Sequence, residues 1–247
     1  GPLQRAAVEL GAWLFLGYTA QALGLEQTSA AHGAFTGTFT VLTVPLVAGL
    51  AGRRIPASTW GAAALALVGV SLLTSSGGAP NAGDGWCILS AVLFGVHKFR
   101  TEEMSNRFSA QSKELMALQL GVLAACSVVG LAPEVADLWR EGGPQGLVAW
   151  GQGLPWLQLA YMGLFTTALT LWIEVEAMKK VSSPTAALIY SAEPLWGAGL
   201  AWFLLGERWG LRGWAGAALI ICASLGSQLR GDEAKEAEGG AKAAGKE

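Results

Sequence analysis

The residue best suited to chemistry in this sequence is Glu193, which stands twelfth in an apolar stretch of 24 residues and is followed directly by Pro194. Tyr190 lies three residues earlier, on the same face of a helix. A charged side chain at the middle of a bilayer costs about 2.5–3.5 kcal/mol on the insertion scale, so Glu193 needs a cavity or a partner. Two interpretations stay open: a protonatable or solute-binding group, or a protonated side chain bonded to a backbone carbonyl freed by Pro194.

A second set of polar side chains follows an earlier apolar stretch at helical spacing, namely His32, Thr36, Thr40 and Thr43. This stripe either lines a water-filled path or consists of threonines that bond to their own helix backbone, with His32 at the membrane interface. Together with polar residues of other apolar stretches, the candidates for substrate binding or coupling are Glu193, Tyr190, Thr36, Thr40, His32, Tyr18, Gln21 and Gln119.

Motifs for catalysis or metal binding are not found in the sequence. It contains no Gly-rich phosphate loop with a lysine, no HExxH and no GxSxG. The three cysteines are odd in number and form no CxxC pair, so they predict neither a disulfide framework nor a zinc site. We therefore expect no catalytic residues, no metal and no cofactor, and we expect that the protein is not an enzyme.

The elements that position these residues follow from composition, which is 52% hydrophobic and only 14% charged. Soluble domains carry roughly 25% charged residues, so the class predicted is an all-α integral membrane protein. Segments of 17–25 residues match the length that a helix needs to cross a hydrocarbon core of about 30 Å. About eight such transmembrane helices are predicted, at 6–25, 30–51, 57–75, 85–104, 113–133, 153–175, 182–205 and 211–229.

The connections between these segments carry three further predictions. Residues 75–84 form a Gly/Pro turn that ends in Asp84 as the N-cap of the next helix, and residues 134–152 form a longer loop. His97 and Lys98, near the end of the fourth segment, are expected to snorkel to the membrane interface.

Charge distribution predicts the orientation in the membrane. With eight crossings, 13 of the 16 Lys and Arg residues fall on the side that holds both termini. The positive-inside rule then puts the C-terminus on the cytosolic or stromal side, and the sequence is compatible with a plasma membrane and with a plastid envelope. The net charge of -2 argues against nucleic acid as a partner. The expected partners are the lipid bilayer and a small-molecule substrate.

An internal repeat relates residues 29–65 to residues 183–219 at a constant offset of 154, with a Gly-x-Arg motif and a tryptophan (Trp60 and Trp214) in register. The two copies lie five segments apart, an odd number, so they enter the membrane in opposite directions. Inverted repeats of this kind are typical of secondary transporters, whose substrate site lies near the midplane between the two halves.

Two strings of the repeat, "VPLVAGLAGRRIP" and "EPLWGAGLAWFLLGER", resemble the EamA-like drug/metabolite transporter superfamily. The resemblance implies ten helices in two halves of five with both ends cytosolic, so that the first two of the ten helices are absent from this chain. The domains expected on this basis are a first EamA repeat with three of five helices at 1–75, a linker at 76–84, a second repeat with five helices at 85–229, and a disordered polar tail at 230–247.

The resemblance also implies a function: a secondary transporter or exporter of a small organic metabolite that works by alternating access, with proton coupling through Glu193 as a further hypothesis. The alternative is a non-transporting membrane accessory protein or an inactive truncated fragment. A membrane-embedded enzyme is disfavoured, because the sequence contains no paired acid and base and no metal-binding cluster.

Overall fold

The computed structural model describes residues 1–28, 30–74, 81–204 and 210–223, and in these ranges the protein is helical without a strand. A 3₁₀ turn (Ser109–Gln111) precedes α6, and a π-helix (Met162–Leu169) joins α7 to α8. The helices are α1 (Pro2–Leu25), α2 (Ala30–Gly37), α3 (Thr40–Leu50), α4 (Ala57–Thr74), α5 (Ala82–Arg107), α6 (Ser112–Gly153), α7 (Trp156–Tyr161), α8 (Thr170–Ala177), α9 (Ser183–Tyr190), α10 (Glu193–Leu204) and α11 (Leu211–Ala223).

Within the described residues, each of the eight predicted segments coincides with a helix or with a helix that is interrupted. Two stretches, Ser109–Gly153 and Trp156–Ala177, combine the length and the apolar composition needed to cross a membrane. Three others, Phe35–Leu50, Ala57–Leu72 and Leu211–Ala223, are apolar but shorter. The all-α class is therefore confirmed, while the number of eight membrane spans stays a prediction.

The predicted loop at 134–152 is wrong, because α6 continues through these residues to Gly153. Its one non-helical residue is Gly143, with φ 56° and ψ -153°. A positive φ is accessible to glycine without steric cost, and Pro144 directly after it has the fixed φ that suits the first turn of a helix. The Gly-Pro pair thus kinks the helical path and does not open a loop.

The N-terminus of α5 also differs from the prediction, because Asn81 and not Asp84 is its N-cap. The Asp84 backbone N–H donates to Asn81 Oδ1 (3.2 Å), and the Asn81 backbone N–H donates to Asp84 Oδ2 (2.9 Å). This reciprocal pair is a capping box, in which the acidic residue stands three positions after the cap. Thr28 Oγ1 donates to Asp84 Oδ1 at 2.7 Å and so ties the end of α1 to the start of α5. Residues 82–84 of the predicted linker are therefore helical, whereas 75–80 and the predicted tail at 230–247 lie outside the described residues.

The chain divides into two compact units, the first of which comprises Gly1–Phe15 and Thr101–Lys180. Its core contains small and medium apolar side chains of α1 with Met104 and Leu115. Helix α6 packs against α8. At this contact Lys179 Nζ donates to Ser112 Oγ and to Glu176 Oε2, each at 2.8 Å, and Ser112 Oγ donates to Glu176 Oε1 at 2.7 Å. A shared polar network therefore fixes the register of the two helices.

The second unit comprises Leu16–Arg100 and the described residues from Val181 onward. Helix α4 is its centre, because α4 contacts α2, α3, α9 and α10, and α3 in addition packs on α9. The core side chains come from α3, α4, α9 and α11. Helix α11 approaches α4 so closely at Gly69 that a Cβ placed there would lie 2.9 Å from the Gly216 carbonyl oxygen. Small residues thus permit the tight helix packing that is common in membranes.

Candidate functional site

Two helices of the second unit are interrupted at corresponding places in the internal repeat. Thr38 and Phe39 separate α2 from α3, and Ser191 and Ala192 separate α9 from α10. The offset between the two interruptions is 153, which is within one residue of the offset of 154 in the sequence repeat. At each place the backbone tightens to 3₁₀-type bonds, from Thr38 N–H to the Phe35 carbonyl and from Ala192 N–H to the Ile189 carbonyl, both 3.1 Å.

The predicted threonine stripe borders the first interruption, and its hydroxyl groups turn toward the helix backbone. Thr36 donates to the Gly33 carbonyl at 3.2 Å, Thr40 to the Gly37 carbonyl at 2.6 Å, and Thr43 to the Phe39 carbonyl at 3.2 Å. Thr36 and Thr43 are buried, and Thr40 is half-buried. These bonds have the geometry of the backbone-bonded alternative, and they satisfy carbonyl groups next to the interruption. The side chain of His32 lies outside the described residues.

Tyr190 and Glu193 flank the second interruption, as the last residue of α9 and the first residue of α10. Tyr190 is 40% exposed, and the side chain of Glu193 is exposed as well. The side chain of Glu193 makes no hydrogen bond or ion pair with any residue that the structure describes. Its position in the first turn of α10 is electrostatically favourable for a negative charge, because the positive end of the helix dipole lies there.

The structure brings two of the predicted tyrosines into one cluster around Lys98, which we call the aromatic–lysine cluster: Tyr18, Phe94, Lys98 and Tyr190. The Lys98 ammonium lies 4.3 Å from the centroid of the Tyr190 ring and 5.9 Å from that of Phe94. The Phe94 ring meets Tyr18 edge-on, with centroids 5.2 Å apart. All four residues belong to the second unit.

The prediction that His97 snorkels to the interface is wrong, because its side chain is buried, whereas the same prediction for Lys98 stays a prediction. His97 is 1% exposed, and α5 continues for nine residues beyond Lys98 to Arg107, which is about 14 Å of helix. The spacing of Phe94 and Lys98, one helical turn apart, is the sequence signal that could have indicated this cluster.

The two predicted glutamines are placed differently. Gln21 is half-buried on α1 in the second unit. Gln119 is fully buried on α6 in the first unit, and neither its Oε1 nor its Nε2 has a hydrogen-bond partner among the described residues. Buried amides are almost always hydrogen-bonded, so Gln119 is an unusual residue, although the structure does not bring it into the aromatic–lysine cluster.

The chemistry that this arrangement supports is binding. Across the described residues no group of three or more His, Cys, Asp or Glu side chains could hold a metal ion. Near the second interruption lie Lys98, Glu193 and the partly exposed ring of Tyr190. Groups of these types bind solutes by charge and by apolar contact.

Comparison with known proteins extends this conclusion. Residues 81–227 match the sequence profile of the EamA-like transporter family, and because the match spans more than half of the chain, the chain belongs to this family. The resemblance noted in the sequence is thereby confirmed, and with it a membrane transporter of small molecules, a class that is typically not enzymatic.

A solved structure shows the same fold. The crystal structure of another protein shares 18% sequence identity with this chain. The two superpose with a TM-score of 0.66, and the match covers 92% of this chain and 76% of the other. No curated protein matches the chain significantly.

Proposed function

We propose that the chain is a secondary transporter or exporter of a small organic metabolite that works by alternating access, with the solute bound at the interrupted helices of the second unit. The observation that carries the proposal is the pair of interruptions, α2/α3 and α9/α10, at equivalent positions of a repeat. Discontinuous helices at corresponding places of inverted repeats are where secondary transporters bind their substrates. Membership of the EamA-like transporter family supports the same function.

Proton coupling through Glu193 is the finer part of this proposal. Glu193 is an ionisable residue next to an interruption, and it makes no hydrogen bond within the described residues, so its carboxyl group can exchange protons and contact solute. Ionisable residues at membrane depth commonly belong to ion or substrate pathways. The lipid bilayer and a small-molecule substrate are the partners that this function requires.

The test is transport by the protein reconstituted in liposomes, with and without an imposed pH gradient. Glu193→Gln keeps the shape of the side chain and removes its proton exchange, so we expect transport that is lost or that no longer responds to the gradient, with folding retained. Glu134→Gln, at an exposed position of α6, is the matched control and should transport as the wild type does. Normal, gradient-dependent transport by Glu193→Gln would exclude a coupling role.

We propose eight membrane spans for this chain, with the C-terminus on the cytosolic or stromal side. Single cysteines placed at 76–83 and in the tail at 230–247, in a background without Cys87, Cys126 and Cys222, should react with an impermeant reagent from opposite sides of the membrane. Reaction of both from the same side would contradict the eight-span topology.

A further inference from the structure

The interior of the first unit contains polar side chains whose hydrogen bonds the described residues do not supply. Gln119 is fully buried on α6, and neither its Oε1 nor its Nε2 has a hydrogen-bond partner among those residues. Ser105 is fully buried on α5, and its Oγ has no such partner either. Buried polar groups are almost always hydrogen-bonded, to protein or to ordered water, because an unsatisfied one is costly. A ligand that hydrogen-bonds to these two side chains would therefore stabilise the unit.

The buried faces of three helices bring polar groups into one interior. On α5 the buried face includes Met104 and Ser105, and on α6 it includes Leu115 and Gln119. Met104 and Leu115 belong to one core cluster, which shows that the two faces meet. Helix α8 packs on α6 and adds Glu174, which is 7% exposed. Hydroxyl, amide and carboxyl groups thus lie in one interior among apolar side chains.

One end of this unit fixes the level of the three helices relative to one another. There α5 and α8 end and α6 begins. The Asn106 Nδ2 atom lies 3.5 Å from the Met178 carbonyl oxygen, and Ser112 Oγ donates to Glu176 Oε1 at 2.7 Å. Asn106, Ser112 and Met178 therefore mark nearly the same level. The Glu176–Lys179 ion pair at this end is partly exposed, and charged groups are stable there in contact with water or headgroups.

From this end the polar groups follow one another inward. Counted from the level that the three helices share, Ser105 is one residue inward on α5, Glu174 four residues inward on α8 and Gln119 seven residues inward on α6. At a rise of 1.5 Å per residue they lie about 1.5, 6 and 10.5 Å from the end. Two hydrogen bonds through one water span about 5 Å, so single water molecules can join groups at this spacing.

Water is the ligand that fits these groups. The amide of Gln119 needs both a donor and an acceptor, and a hydroxyl such as that of Ser105 takes either. Water supplies both and makes about three hydrogen bonds in a protein interior. Helix α1 packs directly on α6 here, since a Cβ at Gly11 would lie 2.9 Å from the Gln119 carbonyl oxygen. Such close packing favours the smallest ligand with these properties.

We propose that the interior of the first unit binds a short chain of internal water molecules, held by Ser105 and Gln119 and reached from the end at the Glu176–Lys179 ion pair. This inference goes beyond the proposed transport function and does not depend on it, because it concerns hydration of the folded protein. The water lies beside the buried side chain of Glu174. Acidic side chains with access to water form proton relays in membrane proteins, so the first unit gains an acid that the aqueous phase reaches.

The test is hydroxyl-radical footprinting of the purified full chain in detergent. X-ray pulses convert internal water to hydroxyl radicals, and mass spectrometry then locates the oxidised side chains. Leu115, one turn before Gln119, is the reporter, and Leu188 in the core of the second unit is the matched reference, because these leucines are 0% and 1% exposed. Severalfold more oxidation of Leu115 than of Leu188 is expected. Equal oxidation of the two leucines would overturn the proposal.

The variants assign the water to its ligands. Gln119→Leu removes both hydrogen-bonding groups of the amide, so oxidation of Leu115 should fall towards that of Leu188. Ser105→Ala removes one group and should lower it less. Gln152→Leu makes the same replacement at an exposed position of α6, and as the matched control it should leave the wild-type pattern unchanged. Wild-type oxidation of Leu115 in Gln119→Leu would refute Gln119 as a ligand of internal water.

The remaining outcomes keep this inference separate from stability and from transport. A gain in stability on Gln119→Leu agrees with the proposal, because this variant releases the water together with the amide. Should Gln119→Leu fail to fold, the comparison of Leu115 with Leu188 in the wild type still decides. Oxidation of Leu115 in a protein that transports nothing would support the internal water and contradict only the proposed function.

Discussion

Replacement of Gly69 by alanine should destabilise the second unit, whereas the same replacement at Gly61 in the same helix should stabilise it. A Cβ at Gly69 would lie 2.9 Å from the Gly216 carbonyl oxygen and 3.0 Å from the Ile220 backbone nitrogen. Both neighbours are backbone atoms of α11, so they can yield only if the two helices move apart. A Cβ at Gly61 meets nothing within 4 Å.

The magnitude follows from two opposing terms. Alanine in place of glycine inside a helix stabilises by about 1 kcal/mol, and both variants of α4 receive this term. Overpacking of a close contact costs about 1–3 kcal/mol, and only Gly69→Ala incurs it. The expected change is therefore about 1 kcal/mol of stabilisation for Gly61→Ala and roughly 0–2 kcal/mol of destabilisation for Gly69→Ala. Between the two variants this corresponds to roughly 2–12 °C in Tm.

The measurement is thermal unfolding of both variants and the wild type in the same detergent, followed by far-UV circular dichroism. Since the two variants have the same composition and the same helix, detergent effects cancel in their comparison. Equal Tm values, or a higher Tm for Gly69→Ala than for Gly61→Ala, would refute the close approach of α4 and α11.

Three further predictions concern stability. Gln119→Leu should raise the free energy of unfolding by about 1–3 kcal/mol, because it removes a buried amide that has no partner among the described residues. Denaturant titration measures this change, and a loss of stability would contradict the prediction. Asp84→Ala should lower stability by about 1–2 kcal/mol, since the bonds that the Asp84 carboxylate accepts from the Asn81 backbone N–H and from Thr28 are lost together. An unchanged Tm would argue against the cap. Gly52→Ala should lower the free energy of unfolding by about 1–2 kcal/mol, because Gly52 has φ 87° directly after α3. Gly52→Asn should lower it less in the same assay, because asparagine tolerates this conformation better.

The positions of the helices could be predicted from the sequence because they depend on a local property. A segment of about 20 apolar residues has to form a helix in lipid wherever it lies in the fold, since its backbone groups have no other partners. Within the described residues, all eight segments coincide with helices, including the interrupted pairs α2/α3 and α9/α10. The family is likewise visible in local strings such as "EPLWGAGLAWFLLGER".

The interruptions themselves are only partly visible in the sequence. Pro194 marks the second one, because its ring removes a backbone donor from the helix. Nothing comparable marks Thr38 and Phe39, where the helix tightens although neither residue breaks helices strongly. The offset of the repeat connects the two places, and the structure shows that they agree to within one residue.

The surroundings of the polar side chains were decided by the tertiary structure alone. The sequence around Lys98 does not indicate that its ammonium lies over Tyr190, which is 92 residues away along the chain. Gln119 has the context of a cavity residue, yet it is fully buried in the first unit. The physical reason is that helix formation depends on neighbours within one turn, whereas the partner of a side chain depends on which helices pack together. That packing brings together residues whose separation in sequence carries no periodic signal.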